Sequence, residues 1–185
     1  MAGMVTYTLE KMLTDYRHIY DHFGMNEYNI LCQFGVWAKK RSPIVSDYAW
    51  YIFNMLLEKN AEITDNERDR EYRNAMLYGA MVNFRREVEN ADRASINKIQ
   101  RPFNKSTLNY QLMDLGQAGH FLVEIVSGQC CPFCDTLDGR KYEIEDYMEN
   151  EYLASPKCTR ESGCNCCFSL LPKRDKNGHL SFLKG

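Results

Sequence analysis

No stretch of this sequence approaches the ~20 consecutive apolar residues that a bilayer-spanning helix needs. The opening residues, MAGMVTYTLEKMLTDY, also lack the unbroken apolar core of a secretory leader. The expectation is therefore a chain made and kept in a reducing cytoplasm, where structural disulfides are disfavoured. A global basic field is absent too: the net charge is −2, so nothing draws the whole molecule toward nucleic acid. Histidine is scarce, with four in 185 residues and none between positions 130 and 167. That gap excludes an HNH-type nuclease, which needs a histidine pair or an Asp-His pair in its hairpin. There is no internal repeat and no low-complexity tract.

What is present is ordinary for a globular protein, with 44% hydrophobic and 26% charged residues. The exception is cysteine. Of eight, Cys32 stands alone in the apolar stretch NILCQFGVW and reads as a small core residue. The other seven all lie between Cys130 and Cys167.

Residues 5 to about 117 read as consecutive helices. Ser42 and Pro43 suit the cap and first turn of one helix, whose buried face is expected to carry Ile44, Tyr48 and Ile52, with Val45, Ala49 and Leu56. Thr64 and Glu67 form a capping-box pattern before a helix expected to bury Tyr72, Met76 and Val82 or their neighbours and to reach about Asn90. A further helix, STLNYQLMDLGQ, should stop near Gly116 and Gly119. The period then changes to two: Phe121, Val123 and Ile125 share one face of a strand. Asp138-Gly139 marks a tight turn into RKYEI, EIEDYMENEY reads as one short helix, CFSLL as another strand, and Asn177-Gly178 as a last hairpin. The fold class is thus α+β, a mainly helical body over 1–117 followed by a small β-rich, cysteine-dense module over 118–185. A module of that size needs a cross-link to be stable.

Two chemistries compete for Cys131-Pro-Phe-Cys134. A glutaredoxin-like redox pair would open a long helix whose N-terminus stabilises a thiolate. Here DTLDG follows at once, and too few residues remain for a βαβ domain. A metal knuckle accounts for more of the sequence. The turn aims two sulfurs at one ion, and Zn2+ then requires two more soft ligands in tetrahedral geometry. Cys158, Cys164, Cys166 and Cys167 are available. Cys164 and Cys167 would make a second C-x2-C; alternatively Cys158 acts with either Cys164 or Cys166, which share a strand face that Cys167 does not. A closed thiolate set staples and does not catalyse. Glu143 and Asp138 are conceivable general bases, but no pattern ties either to a substrate, and no catalytic residues are assigned.

The order of features resembles the C-terminal motif of the phage Mu gpF-like (MuF-type) minor head proteins: CPFC at 131–134, LDGRKY at 137–142, SPKC at 155–158 and GCNCCFSLLP at 163–172. Cys131 and Cys134 match that motif's first pair, and Cys164 and Cys166 its closing pair. Cys158 stands where the family usually carries histidine, with a longer spacer before Cys164. The resemblance covers roughly residues 118 to 172. It implies a non-enzymatic virion or head-assembly protein, made in the host cytoplasm and associated with portal or capsid subunits. Structural Zn2+ would be held by residues drawn from Cys131, Cys134, Cys158, Cys164 and Cys166. It implies no membrane and no small-molecule substrate; contact with packaged DNA is conceivable from the Lys173-Arg174 side.

Other features have plainer readings. His18 and His22, at i and i+4 with Asp21 beside them, read as surface residues of an amphipathic helix. His120 is a conceivable substitute ligand and reads instead as a polar strand-edge residue. The short basic clusters (Lys39 to Arg41, Arg85-Arg86, Lys173-Arg174) read as solvated faces. A zinc-ribbon nucleic-acid binder is the rival from another class, with Arg140, Lys141, Lys157 and Arg160 as its cations. The acidic run Glu143, Glu145, Asp146, Glu149 and Glu151 lies among them and opposes phosphate contact.

Overall fold

Apolar residues return every three or four positions through the first part of the chain, and a computed structural model converts that rhythm into helices. Residues 8–39, 44–63, 66–116, 120–129 and 131–181 are described. The expected cap at Ser42-Pro43, the Thr64 capping box, Gly119, Cys130 and the Lys40-Arg41 part of one basic cluster lie outside them. The chain divides into two compact units, 1–66 and 67–185.

In the first unit the helices are α1 (Leu9–Asp15), α2 (Arg17–Asp21), α3 (Glu27–Ala38) and α4 (Val45–Glu62). Thr8 caps α1 by accepting the Lys11 N–H at 3.2 Å. Asn26 and Asn29 cap α3 reciprocally. Phe34 of α3 stacks on Tyr48 of α4, with ring centroids 3.7 Å apart. On α4 the buried positions are Ala49, Ile52, Phe53, Leu56 and Asn60. Ile44, expected on that face, is 66% exposed because the helix begins after it. Its N–H donates to the Asp47 carboxylate at 2.9 Å. Cys32 is also exposed, not a core residue: Ile30 and Phe34 carry the buried stripe of α3, and position 32 lies opposite. His18 and His22 are on the surface.

The second unit joins two long helices to the cysteine-bearing sheet. Helix α5 (Glu67–Glu87) packs along α6 (Arg93–Leu115). Ala75, Leu77, Ala80, Met81, Val82 and Phe84 are buried on α5; Tyr72, expected inside, is partly exposed and meets Tyr110 edge to face. Helix α6 starts well before Ser106, at Arg93, where the Asp92 side chain accepts the Ser95 N–H at 3.0 Å. It runs through Pro102 and ends just before Gly116.

Beyond it come β1 (Phe121–Val126), one helical turn α7 (Pro132–Asp135), β2 (Lys141–Glu143), α8 (Ile144–Asn150) and β3 (Cys167–Pro172). The three strands form an antiparallel sheet in the order β2-β1-β3, with Val123 opposite Tyr142 on one side and Leu170 on the other. The alternation read from sequence appears directly: Val123 and Ile125 are 0% exposed. Gly139, at φ 68°, makes the turn into β2, and its N–H donates to the Ile125 carbonyl at 2.9 Å. The protein is therefore mainly helical toward the N-terminus, with a small antiparallel sheet toward the C-terminus. Val123 and Ile125 join Leu108 of α6, Leu137, Tyr147, Leu153 and five cysteines in one buried cluster. The compact unit thus crosses the change of composition at 117/118.

Candidate metal centre

Pro132 fixes the geometry of the first cysteine pair. Cys131 is extended, Pro132 occupies the first helical position where its missing N–H costs nothing, and a single turn follows. The Asp135 N–H donates to the Cys131 carbonyl at 2.9 Å, and the Leu137 N–H to that of Cys134. Cys131 and Cys134 thereby face the same buried volume. No long helix grows from the turn, as DTLDG predicts.

The second segment is held from the helices. Gly163 adopts φ +81°, and a Cβ there would stand 2.5 Å from Cγ2 of Ile96, so only glycine lets this loop lie against α6. Immediately after it, the Cys164 N–H donates to Asn97 Oδ1 at 2.9 Å. Arg86 of α5 donates to the carbonyls of Cys164 (2.5 Å) and Ser162 (3.0 Å) and to Gln100 Oε1 (2.8 Å). Asn97 Nδ2 and Arg101 Nε reach the carbonyls of Ser155 and Ala154, fixing the approach to Cys158.

The five thiols expected as ligands are all buried and fall into two groups. Sulfurs of Cys131, Cys134 and Cys158 lie within 4.8 Å of one another, as do those of Cys134, Cys164 and Cys166. Cys134 belongs to both. Cys131 Sγ and Cys158 Sγ are 3.8 Å apart. A tetrahedron with ~2.3 Å zinc–sulfur bonds has edges of ~3.8 Å, so this pair has the separation such an ion requires. The Thr159 N–H donates to Cys131 Sγ at 3.4 Å. Cys166 makes a different contact, its S–H donating to the Ser127 carbonyl at 3.0 Å. Cys167 is exposed, at the start of β3, and belongs to neither group; the second C-x2-C is not assembled.

Electrostatics separate the first two thiols. Burial opposes ionising Cys131, but the N–H groups of Cys134 and Thr159 outweigh it and lower the thiol to about 6. Burial pushes the Cys134 thiol up, and the neighbouring Cys131 and Cys166 thiols push it further. Soft, buried thiol donors converging from two distant segments could hold a metal ion such as zinc.

The remaining candidates are engaged elsewhere. His120 extends β1 through its backbone, donating to the Ser181 carbonyl and accepting from the Lys173 N–H. Asp138 accepts the Ser127 N–H at 2.8 Å, and Glu143 pairs with Lys173. Arg86 corrects the reading of Arg85-Arg86 as a solvated face, because its guanidinium is part of the loop's support. Neither Arg86 nor Asn97 carries a sequence signal of this role. No family model, curated protein or solved structure matches this chain.

Proposed function

We propose that this chain is a structural protein whose sheet-bearing end is stapled by one zinc ion, with Cys131, Cys134, Cys158 and Cys164 as ligands. The carrying observation is the convergence of thiols from both ends of the 131–166 segment, with the 3.8 Å separation of Cys131 and Cys158. Cys164 is preferred to Cys166 as the fourth ligand because its backbone is fixed at both ends while the Cys166 thiol is engaged with Ser127. Four thiolates close the coordination sphere, so the ion would rigidify the module and open no position for substrate.

The setting we assign is the head of a tailed phage or prophage, as a minor head or portal-associated component whose C-terminal module docks. The order of motifs that resembles MuF-type proteins supports it. Protein purified anaerobically without chelator should carry about one zinc per chain, lost in Cys131→Ser and Cys158→Ser. Retention of full zinc by both variants overturns the site. Co-purification with a portal or capsid subunit tests the setting, and steeply salt-dependent binding of short duplex DNA would favour a nucleic-acid role instead.

A further inference from the structure

Five buried thiols meet where four saturate a tetrahedral ion. On the reading above, the fifth is Cys166. Its thiol donates to the Ser127 carbonyl. Cys166 borders a cavity of about 320 Å³, also lined by Arg86, Gln100, Gln111, Phe168 and the exposed Cys167, which belongs to neither thiol group. A space of that size has room for several water-sized molecules. Cys166 is also within 4.8 Å of Cys134, the thiol common to both groups.

We propose that Cys166 is an oxidation site for hydrogen peroxide, and that its modification detaches Cys134 from the zinc centre. The peroxide enters through the cavity, and the Cys166 sulfur attacks one peroxide oxygen. The O–O bond breaks, one molecule of water leaves, and Cys166 becomes a sulfenic acid. The Cys134 sulfur then attacks the Cys166 sulfur; the S–O bond breaks, a second water leaves, and the Cys134–Cys166 disulfide forms. Two electrons from the two sulfurs reduce the peroxide to two waters, with solvent supplying a proton where Cys134 starts as a thiolate. Cys134 can then no longer ligate, and the staple opens. The Cys164 sulfur is also within 4.8 Å of that of Cys134 but is a poorer entry point, since Cys164 is 0% exposed and does not border this cavity. A dithiol reductant reverses the change.

The proposal rests on the zinc reading, but the two fail differently. The zinc-loaded full chain is treated with hydrogen peroxide, release is followed with a chromogenic chelator, and the first disulfide formed is mapped by mass spectrometry. Wild type should release its zinc as Cys134–Cys166 accumulates. Cys166→Ala should still bind about one zinc per chain and release it at least about tenfold more slowly, with Cys167→Ser behaving as wild type. Unchanged release from Cys166→Ala overturns the proposal and leaves the zinc reading standing. So does a first disulfide between any other pair. Failure of both Cys166→Ala and Cys166→Ser to bind zinc makes Cys166 a ligand and also overturns it. If wild type binds no zinc, the zinc reading falls; mapping in the metal-free protein still decides whether Cys134 and Cys166 pair first.

Discussion

At the scale of single residues, the cysteine loops depend on a few contacts from α5 and α6: three bonds donated by Arg86, two made by Asn97, and the close approach of Gly163 to Ile96. Gly163 is the least replaceable of them. Gly163→Ala forces both a disfavoured φ and a clash with Ile96, so it should cost about 1–3 kcal/mol. A fall in the denaturant midpoint with unchanged m checks that outcome. Arg86→Ala leaves the Cys164 and Ser162 carbonyls and Gln100 without their donor. A loss of about 1–3 kcal/mol and weaker zinc retention against a competing chelator are expected, and Arg86→Lys should not restore the fork. None of this was legible in the sequence. Arg86 acts on a carbonyl 78 residues away and Asn97 on an N–H 67 residues away, and backbone groups leave no mark in the side-chain pattern. The cysteines were legible because their clustering between 131 and 166 is written in the sequence, and the fold gathers those five sulfurs into two buried groups.

At the scale of elements, periodicity was a good guide to the sheet and a poorer one to helix limits. Val123 and Ile125 are the two fully buried positions of a strand flanked on both sides, so position 125 tolerates little. Ile125→Ala should destabilise the second unit by about 2–5 kcal/mol in chemical denaturation. The expected start of this helix, at Ser106, was too late: it begins at Arg93 and continues through Pro102. The Asp92 cap provides the test of where that helix begins. Its hydrogen bonds from Ser95 hold the carboxyl below its ordinary range. A group with a depressed folded pKa contributes stability that is present above the unfolded value and lost as pH falls through the folded one. Asp92→Ala should therefore lower the melting temperature at neutral pH, and the gap from wild type should narrow on acidification below the ordinary carboxylate range.

At the scale of the whole molecule, the composition suggested a cut after residue 117, and chain contacts place the compact division at 66/67. Composition reports what each segment is made of; compactness depends on what it touches, and α6 supplies Leu108 to the same cluster as the cysteines. Chelation should accordingly be felt beyond the cysteines. On removing zinc, amide exchange should accelerate in β1, β3 and the 151–166 loop and also along the face of α6 that bears Asn97 and Leu108. Protection unchanged in α6 would show that the helix does not depend on the staple. The central position of β1 has one more consequence, for how the chain is made. On the ribosome β1 and the first cysteine pair emerge long before Cys158, Cys164 and the strand that closes the sheet's second edge. For that interval the nascent chain shows an open strand edge and two cysteines of a five-thiol cluster, so any site drawing on both segments can close only after Cys164 has emerged.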